Sequence, residues 1–483
     1  MRFYLSFFDL IQNLYIQFRN AAPDPEKWLL TQVELARQSV TDEPVLPLND
    51  RGEEFVIGNL YDDQKIIVYR VLAKIHEWMT CDDLSQFVPL RCTIMGPAGT
   101  GKSVLINTIT SCIRRLFDFN NVALVGCPTG TSAFNAFGET LHCLTAQGIS
   151  GDYKPHTLSA AKKAILCHKF RHLLCLIVDE RSLLTSKLLG NTSQIISETI
   201  FEGCNIDELL GGIPVLILAG DDHQLPGITE GGIEALTRIG GTKMTQKGRQ
   251  VFTKCAETVF QLSTLRRVCD SKQDDKDLMQ RIRKGVGITD EDVAKLQSLH
   301  LDTIREKHGP HVVADIEEEA IYLFWTNEKR TRHNLQRLGK MNTSHNPTAI
   351  IRPKGYGDKF GKSINSHFDS EMPKAALLCL GAKVCIQGQN FQPMWGLHNG
   401  ACGTVKEIIF PSGHNPNAGH HPSYVVVTFP QYTGPTWDKD NPKVQQSNLD
   451  VIIFSTESNF CTHTLTHALA LQGCTYTRHS YFV

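Results

Sequence analysis

The sequence predicts an α/β fold built on a parallel sheet that carries a phosphate-binding loop, and three stretches predict it. MGPAGTGKSVLI, beginning at Met95, sets Gly96, Gly99 and Gly101 ahead of Lys102 and Ser103 in the pattern G-x-x-x-x-G-K-[ST]. LLCLIVDE is an apolar run ending on Asp179 and Glu180, and PVLILAGDDHQLP is another that opens into Gly220, Asp221, Asp222, His223 and Gln224. Short apolar runs closed by polar turns are how strands buried on both faces are written, and helices covering a parallel sheet bury its strands in that way.

The loop needs a strand before it and a helix behind it, because oxyanions sit on backbone N–H groups at the positive end of a helix. RCTIM supplies the strand, and Leu105, Ile109, Cys112, Ile113 and Leu116 recur at helical spacing after the loop. Gly96, Pro97, Ala98, Gly99, Thr100, Gly101, Lys102 and Ser103 are therefore the expected seat of a nucleotide's phosphates. Lys102 is expected to reach the β and γ phosphates and Ser103 to ligate magnesium. Asp179, ending the second strand, is expected to hold the metal's shell, with Glu180 orienting an attacking water. Gln224, a neutral amide after the third strand, can hydrogen-bond a γ phosphate and register its loss.

A chain of 483 residues with 41% hydrophobic content exceeds what one core serves, so two to four domains are expected. The formal charge of -1 excludes an overall basic surface but not a positive groove balanced elsewhere. Fifteen cysteines, scattered singly with no C-x-x-C pair, read as reduced thiols of an intracellular protein. The tightest metal-like group, Cys167, His168, His172 and Cys175, lacks zinc-finger spacing, and its last member opens an apolar run. The amino-terminal MRFYLSFFDLIQNLYIQF is interrupted by Asp9, Gln12 and Asn13, and no stretch approaches ~18 apolar residues, so no membrane span is expected.

The order of motifs resembles superfamily-one helicases, and the wording is similar to the PIF-type, RecD-like branch. The matches are YDDQ with Gln64, GPAGTGKS, CPTGTSAFNAFGETLH, IVDERSLL, GDDHQLP, LSTLRRV followed by LMQRIRKG, and GLHNGACGTV, over roughly residues 55 to 476. A guanine switch would carry N-K-x-D and an ABC transporter its Ser-Gly-Gly signature; neither is present. A small-molecule phosphotransferase could use the same loop, but it leaves GDDHQLP and LSTLRRV unexplained.

The resemblance implies a P-loop NTPase fold of two RecA-like parallel-sheet lobes, with a small wedge insertion and an SH3-like β insertion. It implies ATP with Mg2+, Gln64 reading adenine, and Arg266 or its neighbour Arg267 projecting from the second lobe onto the γ phosphate. Such a finger is worth about 10³ to 10⁵ in rate. Pro128, Thr129 and Gly130 would present donors to a single strand's phosphates, with Thr140 and His142 matching the family's T-x-H. Lobe 1 is expected over 51–262 with the wedge near 143–172, lobe 2 over 263–375, the insertion over 376–454, and an incomplete remainder of lobe 2 over 455–483; residues 1–50 carry no motif. Between Phe324 and Ser363 nine Lys or Arg face two acids, with Phe324, Trp325 and Tyr356 interleaved, a composition that can track a nucleic-acid strand.

The implied activity is ATP-driven 5′ to 3′ movement on single-stranded DNA and unwinding of forked duplex, in repair, recombination and telomere maintenance. The implied location is the nucleus, then the mitochondrion; no protein partner is named by the sequence. One departure stands out. LTHALALQGCT keeps Gln472, Gly473 and Thr475 but lacks the family's His-Lys pair, and a terminal serine-arginine motif is not found before Val483. The alternative expectation is therefore a nucleotide-dependent DNA-binding remnant of such a helicase, in which binding survives better than turnover.

Overall fold

A computed structural model describes residues 54–147, 159–200, 208–224, 240–267, 272–351, 376–387, 395–410, 413, 422–434, 450–454 and 481–482. The flank 1–50, Tyr356 and the LTHALALQGCT stretch lie outside the described residues. Two compact units divide the chain, one ending at Asp277 and the other beginning at Leu278. The division after Asp277 falls inside the span expected for a second lobe.

The first unit holds a six-stranded, all-parallel sheet of order β3-β2-β4-β5-β1-β6. Its strands are β1 (Leu90–Met95), β2 (Ala123–Cys127), β3 (Glu139–Thr140), β4 (Cys175–Val178), β5 (Val215–Gly220) and β6 (Val259–Gln261). β2, β4 and β5 are buried at every position, which explains why their sequences are unbroken apolar runs. Alternate residues of each strand enter different layers. Ile177, Ile217 and Ala219 join α1 (Asp62–Thr80) and α2 (Lys102–Phe117) through Val68, Val71, Leu105 and Ile109. Leu176, Val178, Leu216 and Leu218 join the opposite layer with Leu189, Ile196, Val251 and Phe252. Each such aliphatic side chain, fully buried, contributes roughly 1.5–3 kcal/mol of transfer free energy.

That opposite layer is built by α6 (Ser186–Thr199) and α7 (Lys243–Ala256). They meet at Gly190 and Gly248, where an added Cβ would overlap the Met244 and Ser186 carbonyl oxygens. Short pieces complete the unit: α3 (Gly130–Asn135), α4 (Leu141–Leu144) and α5 (Ala160–Phe170). Helix α5, within the stretch expected as a wedge, buries Leu166 and Phe170 in the second layer.

Helix α8 (Gln273–Lys284) runs across the division. The second unit continues with α9 (Asp290–Ser298), α10 (Leu301–His308), α11 (Pro310–Glu319) and α12 (Asn327–Met341). An antiparallel pair follows, β7 (Ala349–Ile351) with β8 (Ala376–Leu378). A five-stranded sheet is then made of β9 (Lys383–Gln387), β10 (Cys402–Ile409), β11 (Tyr424–Thr428), β12 (Asp450–Phe454) and β13 (Tyr481–Phe482), in the order β12-β11-β10-β9-β13. Its core is Val384, Ile386, Val405, Val425, Val427 and Val451, with Leu338 and Met341 of α12 packed on it. The described residues of the second unit form antiparallel ladders alone, so the parallel sheet expected for a second lobe is not among them.

Candidate active site

All strands of the first sheet point the same way, so the residues that follow β1, β4 and β5 emerge along one edge. β5 lies between β1 and β4, and the register pairs Met95 with Gly220 and Val178 with Leu218. The phosphate loop, the Asp179–Glu180 turn and the Asp221–Gln224 loop are therefore neighbours, although up to 128 positions separate them in sequence (224 − 96). The crevice outside the carboxyl ends of parallel strands is where such sheets bind ligands.

In the loop, Gly99 and Gly101 take φ of 89° and 85°, a conformation that strains any side chain. A Cβ on Gly101 would also lie 2.5 Å from Gln64 Nε2. Gly101 is the N-cap of α2, so the amides of that helix open onto the loop. Thr100 is buried and donates its hydroxyl to the Pro97 carbonyl at 2.9 Å, closing the turn. Lys102 donates Nζ to the carbonyls of Gly96 at 2.7 Å and Pro97 at 3.0 Å, and Ser103 is exposed on the first turn of α2.

Asp179 is 7% exposed; burial raises its pKa, against the pull of the Glu180 N–H bond to Oδ1 (2.9 Å) and of Lys102. Glu180 is raised as well, by burial first and then by the Asp179 charge. Its backbone is left-handed at φ 56°, ψ 51°, and a 3-10 turn over Arg181–Leu183 begins directly behind it. Asp221 is buried and accepts the His223 N–H on Oδ1 at 3.0 Å, while the Gln224 N–H donates to the Asp221 carbonyl at 3.0 Å. These bonds fold residues Asp221–Gln224 into a tight turn at the strand end. No three His, Cys, Asp or Glu side chains form a metal cage among the described residues. Ser103 and Asp179 are hard oxygen donors of the kind that can hold magnesium together with substrate phosphates and water.

Gln64 is buried at the N-terminus of α1 and joins that helix to the loop. Its Oε1 accepts the Tyr61 N–H at 3.2 Å and its Nε2 donates to the Thr100 carbonyl at 3.1 Å. An amide has a second N–H and a second lone pair, so those bonds leave it able to meet a base edge.

Arg266, expected as the finger, packs beside the phosphate loop. Its backbone N–H donates to the Gly99 carbonyl at 2.8 Å, and the Arg267 N–H to the same oxygen at 3.2 Å. The Arg266 guanidinium lies 3.3 Å from the Tyr61 ring centroid and pairs with Asp63 Oδ1 at 2.9 Å. It belongs to the first unit and clasps the start of α1, where a carboxylate and a π face stand to receive it. Tyr61 and Asp63 carried no signal of this in the sequence: the contact spans 203 positions.

The expected strand contacts lie at the same sheet edge. β2 pairs with β3 with Cys127 opposite Thr140, which sets Pro128, Thr129 and Gly130 beside the Thr140–His142 segment. Both threonines have local work. Thr129 Oγ1 accepts the Ser132 N–H and caps α3, and Thr140 Oγ1 accepts the Cys143 N–H and caps α4, each at 3.3 Å. His142 is partly buried, and burial lowers its pKa, so its neutral form is favoured. Of the metal-like group, Cys175 is buried in β4 with its thiol pushed up to about 12 by burial, and His172 packs edge-on against Phe119 at 5.5 Å.

Comparison with known proteins bears on the same residues. The uncharacterized protein 030L of Invertebrate iridescent virus 6 is 27% identical over 352 residues, covering 69% of this chain and 63% of its own length. ATP-dependent DNA helicase RRM3 of Saccharomyces cerevisiae is 34% identical over 140 residues, covering 28% of this chain and 18% of its own length. The chain thus spans about three fifths of the first relative and under a fifth of the second. The crystal structure of Pif1 helicase from Candida albicans, 18% identical, covers 82% of this chain and 78% of its own at a TM-score of 0.49. A family model described as PIF1-like helicase matches residues 63–286, the stretch that holds the phosphate loop, Asp179, Glu180 and Gln224. Over those residues the chain is similar to the PIF1-like helicase family.

Proposed function

We propose that this chain is an ATP-dependent DNA helicase that moves 5′ to 3′ on single-stranded DNA and opens forked duplex. The observation that carries this reading is the convergence, at one edge of a parallel sheet, of a glycine-built phosphate loop, two adjacent carboxylates and an amide-bearing sensor loop. In this reading Gln64 meets the adenine, residues 96–103 and the N-terminus of α2 hold the phosphates, and Ser103 with Asp179 holds magnesium. Magnesium, when bound, neutralises charge on the phosphates. Lys102 exchanges the Gly96 and Pro97 carbonyls for phosphate oxygens. Glu180 accepts a proton from, or orients, the attacking water; its burial and the Asp179 charge favour proton uptake. Gln224 reports the state of the γ phosphate to the rest of β5.

Pro128, Thr129, Gly130, Thr140 and His142 form the proposed strand-gripping edge, with backbone N–H groups as donors alongside the two threonine hydroxyls, each of which accepts a cap bond and keeps a hydrogen to donate. Two relatives in Saccharomyces cerevisiae that are named ATP-dependent DNA helicase, RRM3 and PIF1, support a nucleic-acid partner. Roles in repair, recombination and telomere maintenance, in the nucleus or mitochondrion, extend the same reading. No helix among the described residues is long and apolar enough to cross a membrane.

The test is phosphate release by the chain and by Lys102→Ala, with and without single-stranded DNA. DNA is expected to stimulate release by the chain and to leave the variant at background. Equal background rates in both would sink the enzyme reading and favour a nucleotide-dependent DNA-binding protein without turnover.

A further inference from the structure

Arg181 is the residue after the Asp179–Glu180 turn, and its side chain is buried, 4% exposed. Its Nη1 donates to Asp222 Oδ2 at 2.7 Å and to the Met95 sulfur at 3.2 Å, and its guanidinium faces the Phe252 ring at 5.8 Å. Asp222 belongs to the loop that ends in Gln224, and Met95 is the last residue of β1, directly before Gly96. One guanidinium thus touches all three segments that converge on the site. The backbones are close as well: a Cβ on Gly220 would lie 2.8 Å from the Arg181 nitrogen, so the sensor strand ends against the turn.

The pair is a poor device for stability alone. Burying two charges costs several kcal/mol each, and an apolar pair of similar volume is often as stable or more so. Neither Arg181 Nε nor Asp222 Oδ1 has a hydrogen-bond partner among the described residues, so part of that cost is unmatched. What an ion pair does supply is a fixed direction and distance between the elements it joins.

We propose that Arg181 and Asp222 are positioning residues: their buried pair locks the Glu180 turn to the Gln224 loop, so that the water-orienting acid and the γ-phosphate sensor keep one spacing. The inference rests on the proposed ATP-hydrolysing site for its catalytic consequence, but the lock itself is measurable without turnover. The first measurement is amide hydrogen exchange on the whole chain. In R181M/D222L, which buries no unpaired charge, the amides of residues 222–224 are expected to exchange about tenfold faster than in wild type while those of α2 keep their rate. Unchanged exchange at 222–224 would overturn the lock.

Phosphate release by the same variant is the second measurement. Its kcat is expected to fall about 10²-fold with KM for ATP within about twofold, since ångström-scale misplacement of a catalytic group costs that much while the phosphate seat is untouched. Wild-type kcat, or a raised KM with kcat unchanged, would also overturn it. R181M and D222L alone are each expected to melt below the double variant; purely additive losses would show that the two side chains do not act together. Should the wild-type chain release no phosphate, the helicase reading fails, and the exchange data still decide the lock.

Discussion

Glu180 stands in the left-handed region without being glycine, asparagine or aspartate, a conformation that costs about 1–3 kcal/mol and persists only where surroundings impose it. The surroundings here are β4 behind it, the 3-10 turn ahead, and Gly220 closing on Arg181 from the side. In the proposed function Glu180 acts on water, and its place directly after β4 and ahead of the 3-10 turn suits that role. Glu180→Gln keeps size and backbone but cannot take a proton, so turnover is expected to fall about 10² to 10⁴-fold. Nucleotide affinity should hold, because the phosphate seat is built by other residues; a matching loss of affinity, read by titration with a fluorescent nucleotide, would show that Glu180 serves binding instead. Arg266 offers a contrast. Removing a finger costs 10³ to 10⁵ in rate, whereas losing an arginine from a tyrosine face and a half-exposed carboxylate costs about 0.5–2 kcal/mol of stability. Given its contacts with Tyr61 and Asp63, Arg266→Ala is expected to lower the melting temperature by a few degrees and kcat by less than about tenfold. A thousandfold loss would restore the finger.

At the scale of elements, α8 and α9 are joined by a fork. Arg281 Nε and Nη2 donate to the two oxygens of Asp292 at 2.7 and 2.6 Å, and Thr289 and Asp292 form a reciprocal capping box at the start of α9. The Arg281 bonds, then the Thr289 N–H, hold the Asp292 carboxyl down at about 2. A depressed acid contributes stability above its ordinary value of 3.8, and that contribution is lost as pH falls from there through about 2. Asp292→Asn should therefore flatten the loss of stability over that window, and Thr289→Ala should cost about 1 kcal/mol at neutral pH; equal acid unfolding of wild type and Asn variant would refute the assignment. The cap is visible in the text T-D-E-D, but its fork to Arg281 is not. The same division runs through the first unit. β1, β4, β5 and the loops after them are legible because a strand buried on both faces must be apolar throughout and then stop at a polar turn. Arg181, Asp222, Tyr61 and Asp63 are not, because each partner is chosen by strand order or by a return of the chain across 41 to 205 positions. Thr129 and Thr140 were expected from the resemblance as strand contacts but not as helix caps, since α3 and α4 are too short to show a period.

Over the whole molecule, each compact unit has a core of its own: two layers about the parallel sheet in one, and the β9–β12 core under α12 in the other. Units with separate cores need not melt together, and two-state behaviour is then not expected for the chain. Calorimetry should resolve two transitions. All residues of the candidate nucleotide site, from Gln64 to Arg267, belong to the first unit, so saturating ATP with magnesium should stabilise that unit. A ligand at 100 times its Kd adds about 2.7 kcal/mol, which for a domain near 200 residues moves a melting temperature by roughly 5–10 °C. The other transition should stay where it was. Lys102→Ala should abolish the shift without altering either baseline transition, because Lys102 bonds to the Gly96 and Pro97 carbonyls of the loop and its loss leaves the sheet and its layers intact. If ATP moved both transitions together, or if a single transition moved as one, nucleotide would be acting on the molecule as a single cooperative body, and the seat could not be assigned to the first unit alone.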